Sequence, residues 1–137
     1  PLFFANSDQF VEWDSNEFLY KMNETDADGG IVTFEATHPK WSFAKINEQG
    51  LVTEVAEKKP ISNIATIGFY YWKNGSDFVK YAEQMINKDI RVNNEFYVCP
   101  VFNEAIKDGK AIRTFDVKEM WGLGTPEDLN YYLENYK

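Results

Sequence analysis

Polar side chains stand directly after an apolar run near the start of the chain. The run is Leu2–Ala5, and Asn6, Ser7 and Asp8 follow it. Such a run is typical of a strand buried on both faces, as in a parallel sheet. Ligands of open α/β sheets bind just beyond the carboxyl ends of strands, so Asp8 is a candidate ligand for Mg²⁺ beside phosphate oxygens. The alternative is a turn aspartate that caps nearby backbone N–H groups.

A second candidate site is the segment Glu57-Lys58-Lys59-Pro60, which follows a predicted hairpin. Two lysines in an acidic protein could neutralise a phosphate, and the proline restricts the residue before it. The Glu57 carboxylate could accept hydrogen bonds from sugar hydroxyls. A solvated strand end is the competing interpretation.

Two further polar segments could carry chemistry. Asn94 and Glu95 precede a predicted helix and would suit the recognition of a polyol, although an ordinary polar loop has the same composition. Asp26-Ala27-Asp28 resembles a DxD metal site. Gly29 and Gly30 follow it directly, and this favours a plain turn.

Composition and charge exclude several functions. The 137 residues carry 14 Lys and Arg against 22 Asp and Glu, a formal net charge of −8. This disfavours a nucleic-acid binder, which needs a basic face. The single cysteine, Cys99, rules out an internal disulfide and indicates a reducing compartment, so we expect a cytoplasmic protein. No apolar run approaches the ~20 residues of a membrane span. His38 is the only histidine, which argues against a histidine-rich metal site.

The elements that must position these side chains form one predicted unit, residues 1–137, with α/β composition. Besides Leu2–Ala5, the pattern predicts strands over residues 31–37, 41–46, 51–56, 64–72 and 111–117. Helices are predicted over residues 15–25, 76–87 and 101–107, and from Thr125-Pro126 onward. The expected N-caps of the first, second and last of these helices are Ser15, Ser76 and Thr125. We expect a largely parallel sheet that carries an antiparallel hairpin around Asn47–Gly50.

The order and spacing of these motifs are more specific than any one of them. The series is Asn6-Ser7-Asp8, Pro39–Phe43, the hairpin, Glu57–Pro60, Thr66-Ile67-Gly68-Phe69-Tyr70, Asn94-Glu95 and Gly124–Leu129. It resembles the sugar-phosphate nucleotidyltransferases, the group similar to glucose-1-phosphate thymidylyltransferase. The resemblance covers nearly the whole chain but only the later part of that catalytic domain. It implies an incomplete Rossmann-like α/β sandwich, related to the GT-A fold.

Enzymes of that family join an NTP to a sugar 1-phosphate and release pyrophosphate, with Mg²⁺ balancing the charge. The resemblance implies catalytic roles for Asp8, as a metal ligand, and for Lys58, as the contact to the sugar phosphate. The residues that it implies for substrate binding are Glu57, Ser42, Thr66, Gly68, Asn94 and Glu95.

Two departures from the family pattern follow. Gly122 stands where the family often has a second metal-binding Asp, for which Asp116, Glu119 or Asp128 could compensate. No Gly-rich loop with Arg and Lys is present to cradle nucleotide phosphates. We therefore expect an acceptor-side portion that binds a sugar phosphate or a similar phosphorylated molecule, serves an envelope-sugar pathway and needs a missing N-terminal part to bind NTP. By itself it should show little or no transfer.

Two other functions stay open at this point. A GT-A glycosyltransferase would hold Mn²⁺ at Asp8 or at Asp26-Ala27-Asp28. A non-catalytic domain would bind sugars or pair with a separate chain that supplies the missing half. We also expect self-association through an exposed edge of the Leu2–Ala5 strand.

Overall fold

The computed structural model describes all residues from Pro1 to Lys137. Strands and helices follow one another along the chain in the order β1 (Leu2–Ala5), β2 (Gln9–Phe10), α1 (Ser15–Glu24), β3 (Gly29–Glu35), β4 (Ser42–Ile46), β5 (Val52–Glu57), β6 (Ile64–Trp72), α2 (Gly75–Asn87), α3 (Val101–Lys107), β7 (Ile112–Asp116), β8 (Trp121–Gly122) and α4 (Pro126–Asn135). No helix is both long and apolar enough to cross a membrane.

The main sheet has six strands, and β6 is its organising strand. The order is β5-β4-β6-β3-β7, and β1 also pairs with β6, opposite residues Phe69–Trp72. β3 and β7 are parallel, whereas β6 is antiparallel to β1, β3 and β4. The predicted α/β class is confirmed, but the expected largely parallel sheet is wrong. The hairpin β4–β5 lies between β3 and β6 in the chain. After this hairpin the chain returns along β3, so β6 pairs with β3 in the antiparallel direction.

The sheet is sandwiched between helices, as predicted. Alternate side chains of a strand point to opposite faces, so each face has its own core. On one face α2 and α3 pack over the sheet, where the rings of Trp72 and Phe102 stack with centroids 4.4 Å apart. On the other face Phe18 and Met22 of α1 are completely or almost completely buried against Val32 of β3.

Three local predictions need correction. β1 is not buried on both faces: its residues alternate between half-buried and exposed, because it lies at an edge of the sheet. Gly29 and Gly30 do not form a turn but begin β3. They are needed for packing, since a Cβ on Gly29 would lie 2.8 Å from the Phe102 ring. The N-caps of α1 and α2 are Asp14 and Asn74, not the expected Ser15 and Ser76.

Candidate functional site

A polar cleft of about 270 Å³ lies at one side of the sheet, where five separate segments of the chain meet. Its lining residues come from the loop after β1, the start of β4, the end of β5, the middle of β6 and the segment before and within α4. They are Asn6, Asp8, Gln9, Lys40, Trp41, Ser42, Glu57, Thr66, Ile67, Gly68, Tyr70, Gly122, Gly124, Thr125 and Asp128. The cleft brings together five of the predicted site residues: Asp8, Ser42, Glu57, Thr66 and Gly68.

The loop that carries Asp8 is attached to the middle of β6. The backbone N–H of Asn6 donates to the Gly68 carbonyl at 3.3 Å, and the Gln9 side chain donates to the Ile67 carbonyl. Gly68 has φ of +82°, a conformation that glycine adopts readily and other residues avoid. A Cβ there would lie 2.6 Å from Asn6 Cγ. Glycine at position 68 therefore allows the Asp8 loop to lie directly on the strand.

A second sheet of two short strands closes the cleft on its other side. Gln9 and Phe10 of β2 pair antiparallel with Gly122 and Trp121 of β8, and the Leu123 N–H donates to the Asp8 carbonyl at 2.8 Å. This pairing was not predicted, because two-residue strands leave no periodic pattern in a sequence. It places Asp8 beside the loop that leads into α4.

Glu57 and Ser42 form a pair on the β4–β5 side of the cleft. Residues 42 and 57 are direct partners in the antiparallel ladder, and the Ser42 hydroxyl donates to Glu57 Oε2. Burial raises the pKa of the Glu57 carboxyl, and the hydrogen bond from Ser42 and the charge of Lys58 oppose this rise. A half-buried carboxylate next to a hydroxyl is a suitable acceptor for ligand hydroxyls.

Beneath this pair the hydroxyls of Thr66 and Tyr70 lie 2.9 Å apart, and both residues are buried. Cys99 is also buried, and burial raises the pKa of its thiol to about 12. A thiol with that pKa is protonated at neutral pH and is a weak nucleophile. Cys99 is therefore a small residue of the hydrophobic core.

Lys40 and Asp128 face each other across the mouth of the cleft. Lys40 Nζ lies 3.4 Å from Asp128 Oδ1 and 4.7 Å from the centre of the Trp41 ring. The Lys40 backbone N–H donates to His38 Nδ1 at 3.1 Å, which fixes the turn before β4. Thr125 caps α4 as predicted, because its Oγ1 accepts from the Asp128 N–H at 3.1 Å.

Three predicted site residues do not line the cleft. Lys58 Nζ donates to the Tyr97 hydroxyl at 2.8 Å, and this hydrogen bond raises the pKa of the Lys58 ammonium. Asn94 and Glu95 are exposed, in a tight turn closed by hydrogen bonds of 2.9 and 3.0 Å between the backbones of Val92 and Glu95. Asn94 has φ of +68°, as such turns require.

The other carboxylates considered from the sequence have structural partners elsewhere. Asp26 pairs with Lys73 Nζ at 2.5 Å, and the Asp28 side chain accepts from the Ala111 N–H at 2.8 Å. Asp116 accepts a hydrogen bond from Thr33. Of the three candidates to replace an Asp at position 122, Asp128 is the one that lines the cleft. A Cβ on Gly122 would lie 3.5 Å from Asp128 Oδ2.

The cleft offers two carboxylates that could bind Mg²⁺ together with a substrate phosphate. No cluster of three or more His, Cys, Asp or Glu side chains is arranged to hold a metal by itself. Mg²⁺ is often bound through one or two carboxylates together with substrate phosphates and water. Asp8 and Asp128 are two such carboxylates.

Sequence reasoning missed Lys40, Trp41 and Gln9 as cleft residues. Lys40 and Trp41 lie in the Pro39–Phe43 motif, but their side chains carry no pattern that assigns them to a site. Gln9 follows Asp8 directly, and its proximity to that candidate ligand was the available signal.

The fold is similar to that of several solved structures. A nucleoside-diphosphate-sugar pyrophosphorylase from Vibrio cholerae matches with a TM-score of 0.78 and 23% identity, over 98% of this chain and 58% of that one. A Bacillus anthracis protein named as a glucose-1-phosphate thymidylyltransferase, in complex with sucrose, matches with a TM-score of 0.69 and 18% identity. This match covers 90% of this chain and 49% of that one. HddC from Yersinia pseudotuberculosis, complexed with GMP-PN, matches with a TM-score of 0.58 and 18% identity. This match covers 98% of this chain and 55% of that one.

These similarities confirm the fold that the sequence resemblance predicts. The chain spans between 49% and 58% of the length of these three proteins. No family model and no curated protein sequence matches this chain.

Proposed function

We propose that this chain is the acceptor-side portion of a sugar-phosphate nucleotidyltransferase. In this role the cleft binds a sugar 1-phosphate or a similar phosphorylated molecule, and the parent enzyme transfers a nucleotidyl group from NTP to it. The observation that carries the proposal is the convergence of Asp8, Ser42, Glu57, Thr66 and Gly68 on one cleft. The sequence resemblance selects the same five residues without reference to their proximity, and the fold similarity supports the proposal.

The proposed roles follow from the chemistry of each side chain. Glu57, paired with Ser42, accepts hydrogen bonds from sugar hydroxyls, and its partner hydroxyl offers a second polar contact. Gly68 leaves room for Asn6 to approach the backbone of β6, and Gly124 leaves room for Asp8 to approach the loop before α4. Asp8 faces the same space and would hold Mg²⁺, with Asp128 as the second carboxylate. Bound there, Mg²⁺ would supply positive charge to phosphate oxygens.

Lys58 does not line the cleft, although the family resemblance implies that it contacts the sugar phosphate. Its ammonium donates to Tyr97 outside the cleft lining, so a contact to a sugar phosphate would require a different rotamer. Asn94 and Glu95 likewise contribute to the site only if the turn that holds them moves.

A binding titration tests the proposal. We would titrate the chain by calorimetry with glucose 1-phosphate, glucose, inorganic phosphate, dTTP and an NDP-sugar, each with and without Mg²⁺. The proposal expects glucose 1-phosphate to bind more tightly than either glucose or phosphate, and Mg²⁺ to strengthen that binding through Asp8. Asp8→Asn should abolish the Mg²⁺ effect, whereas Asp14→Asn, outside the cleft, should keep it.

The same titration separates the alternatives. Metal-dependent binding of an NDP-sugar, with no response to glucose 1-phosphate, would favour a GT-A glycosyltransferase instead. Binding of glucose equal to that of glucose 1-phosphate would indicate a domain that recognises sugars without their phosphate. The first alternative already loses one of its metal sites, since Asp26 and Asp28 bind Lys73 and the backbone of Ala111.

A further inference from the structure

The charges that line the cleft are unbalanced. Three carboxylates, those of Asp8, Glu57 and Asp128, line it together with one cation, Lys40. The formal charge of the lining is therefore 1 − 3 = −2. A phosphorylated ligand entering this cleft meets a repulsive field, so it needs a specific cationic contact.

Lys40 is positioned to be that contact, and Lys58 is not. Lys58 Nζ is bonded to Tyr97 at 2.8 Å, whereas Lys40 Nζ lies at the mouth of the cleft. The turn that carries Lys40 is fixed by the hydrogen bond from its backbone N–H to His38 and by another from Trp41 N–H to the His38 carbonyl at 3.3 Å. The backbone is therefore held, whereas the side chain contacts its neighbours through the ammonium, which lies 3.4 Å from Asp128 Oδ1 and 4.7 Å from the centre of the Trp41 ring.

The present partner of Lys40 holds it loosely. The Nζ–Oδ1 distance of 3.4 Å to Asp128 exceeds the usual length of about 2.7–2.9 Å for a charge-assisted hydrogen bond. The two side chains keep 46% and 30% of their exposure, so water screens their attraction. A phosphate, with a larger charge and several acceptor oxygens, competes well for such a lysine.

We propose that Lys40 is the phosphate-binding residue of this cleft and that it exchanges Asp128 for the ligand's phosphate. In the free protein Asp128 keeps the ammonium over the cleft mouth. When the phosphate arrives, Lys40 turns to it and leaves Asp128 able to accept a metal or a hydroxyl. This inference rests on the proposed function for the identity of the ligand, but the exchange itself requires only a phosphate group.

The test uses heteronuclear NMR of the full chain titrated with inorganic phosphate and with glucose 1-phosphate. The Lys40 amide and the Trp41 indole N–H report on the site. The variants are Lys40→Gln, Lys58→Gln and, as a matched control, Lys59→Gln, since Lys59 is exposed and outside the cleft. Lys40→Gln should weaken both ligands about tenfold, a typical effect of losing one charged hydrogen bond. The control should bind as the original chain does, and Lys40→Arg should restore most of the affinity.

Asp128→Asn gives a second, opposite readout. If Asp128 competes with phosphate for Lys40, this change should tighten metal-free phosphate binding by about two- to fivefold. Unchanged or weaker phosphate binding in this variant would overturn the exchange.

The outcomes distinguish this inference from the proposed function. Glucose 1-phosphate binding that survives in Lys40→Gln but is lost in Lys58→Gln overturns the inference and leaves the proposed function standing. A phosphate response that disappears in Lys40→Gln, without preference for glucose 1-phosphate over inorganic phosphate, supports the inference and counts against the proposed function. Absence of any phosphate response in the original chain overturns the role of Lys40.

Discussion

The carboxylate of Asp8 lies against the backbone of Gly124. A Cβ added to Gly124 would lie 2.7 Å from Asp8 Oδ2, closer than such contacts normally occur. Gly124→Ala should therefore turn the Asp8 side chain away from its position in the cleft. Because that side chain is exposed and can rotate, stability should change by less than about 0.5 kcal/mol.

The measurement for Gly124→Ala is the Mg²⁺ dependence of glucose 1-phosphate binding, which should fall several-fold while the melting temperature stays constant. Gly75→Ala is the control, since Gly75 does not line the cleft and its Cβ would meet Leu2 only at an ordinary distance of 3.5 Å. Equal losses in both variants would contradict a specific effect on Asp8.

Gly68 combines a strained backbone conformation with a close contact. Gly68→Ala would force a side chain into φ of +82° and against Asn6. We expect a destabilisation of about 2 kcal/mol and a melting temperature lower by roughly 5–10 °C. Gly109→Ala shares a positive φ of +83° but has open space around it, so it should cost less. Calorimetric unfolding of both variants separates backbone strain from the clash.

Glu57 makes stability depend on pH in a defined direction. Burial raises the pKa of its carboxyl in the folded protein above the ordinary value of 4.5. The folded state therefore holds the Glu57 proton more tightly than the unfolded chain, and its contribution to stability is lost as pH rises through the folded pKa. Glu57→Gln should be more stable than the original chain at pH 7, with no advantage below pH 4.5, the ordinary pKa of the carboxyl.

Urea unfolding at pH 7 and at a pH below 4.5 measures this effect. Glu54→Gln, an exposed position on the same strand, is the control. The same Glu57→Gln variant should bind glucose 1-phosphate less tightly, because an amide accepts fewer hydrogen bonds than a carboxylate. A variant that lost stability at pH 7 would contradict the assigned direction.

Glu104 supports the layer beneath the sheet with the opposite pH dependence. Its side chain is 1% exposed, and its oxygens contact Lys88 Nζ at 2.5 Å and Lys107 Nζ at 3.2 Å. The hydrogen bond from Lys88 lowers the pKa of the Glu104 carboxyl below 4.5, so its stabilisation is present above that value and lost as pH falls through the folded pKa. Glu104→Gln should cost about 1–3 kcal/mol at pH 7.

Denaturant unfolding of Glu104→Gln should show the difference from the original chain shrinking in acid. Glu83→Gln, an exposed position on α2, should leave stability unchanged at every pH.

The edge of β1 is predicted to mediate self-association. β1 pairs with β6 on one side and with no strand on the other. Sedimentation velocity over a wide range of concentrations should show a dimer, and Ala5→Lys should abolish it, because a charge on an edge strand opposes pairing. A monomer at high concentration would contradict the prediction.

The main elements could be predicted because their signals are local. Helices α1–α4 and strands β1 and β3–β7 each carry a periodic pattern or a cap, and their bounds differ from the prediction by at most two residues. Strand direction was wrong, because direction depends on how the hairpin returns the chain to β3. The cleft residues that could be predicted all lie within the motifs that carry the family resemblance. The approach of Asp128 to Lys40 depends on the docking of α4, which no local pattern encodes.

The pairing of β2 with β8 has a consequence for the order in which the protein is made. Every strand of the main sheet has left the ribosome once Asp116 has emerged, and β8 and α4 follow it in the chain. Until β8 has emerged, Asp8 lacks the partner strand that pairs beside it across the cleft. The cleft is thus assembled only after the strands of the main sheet have been made, and ligand binding reports that β8 and α4 have been added.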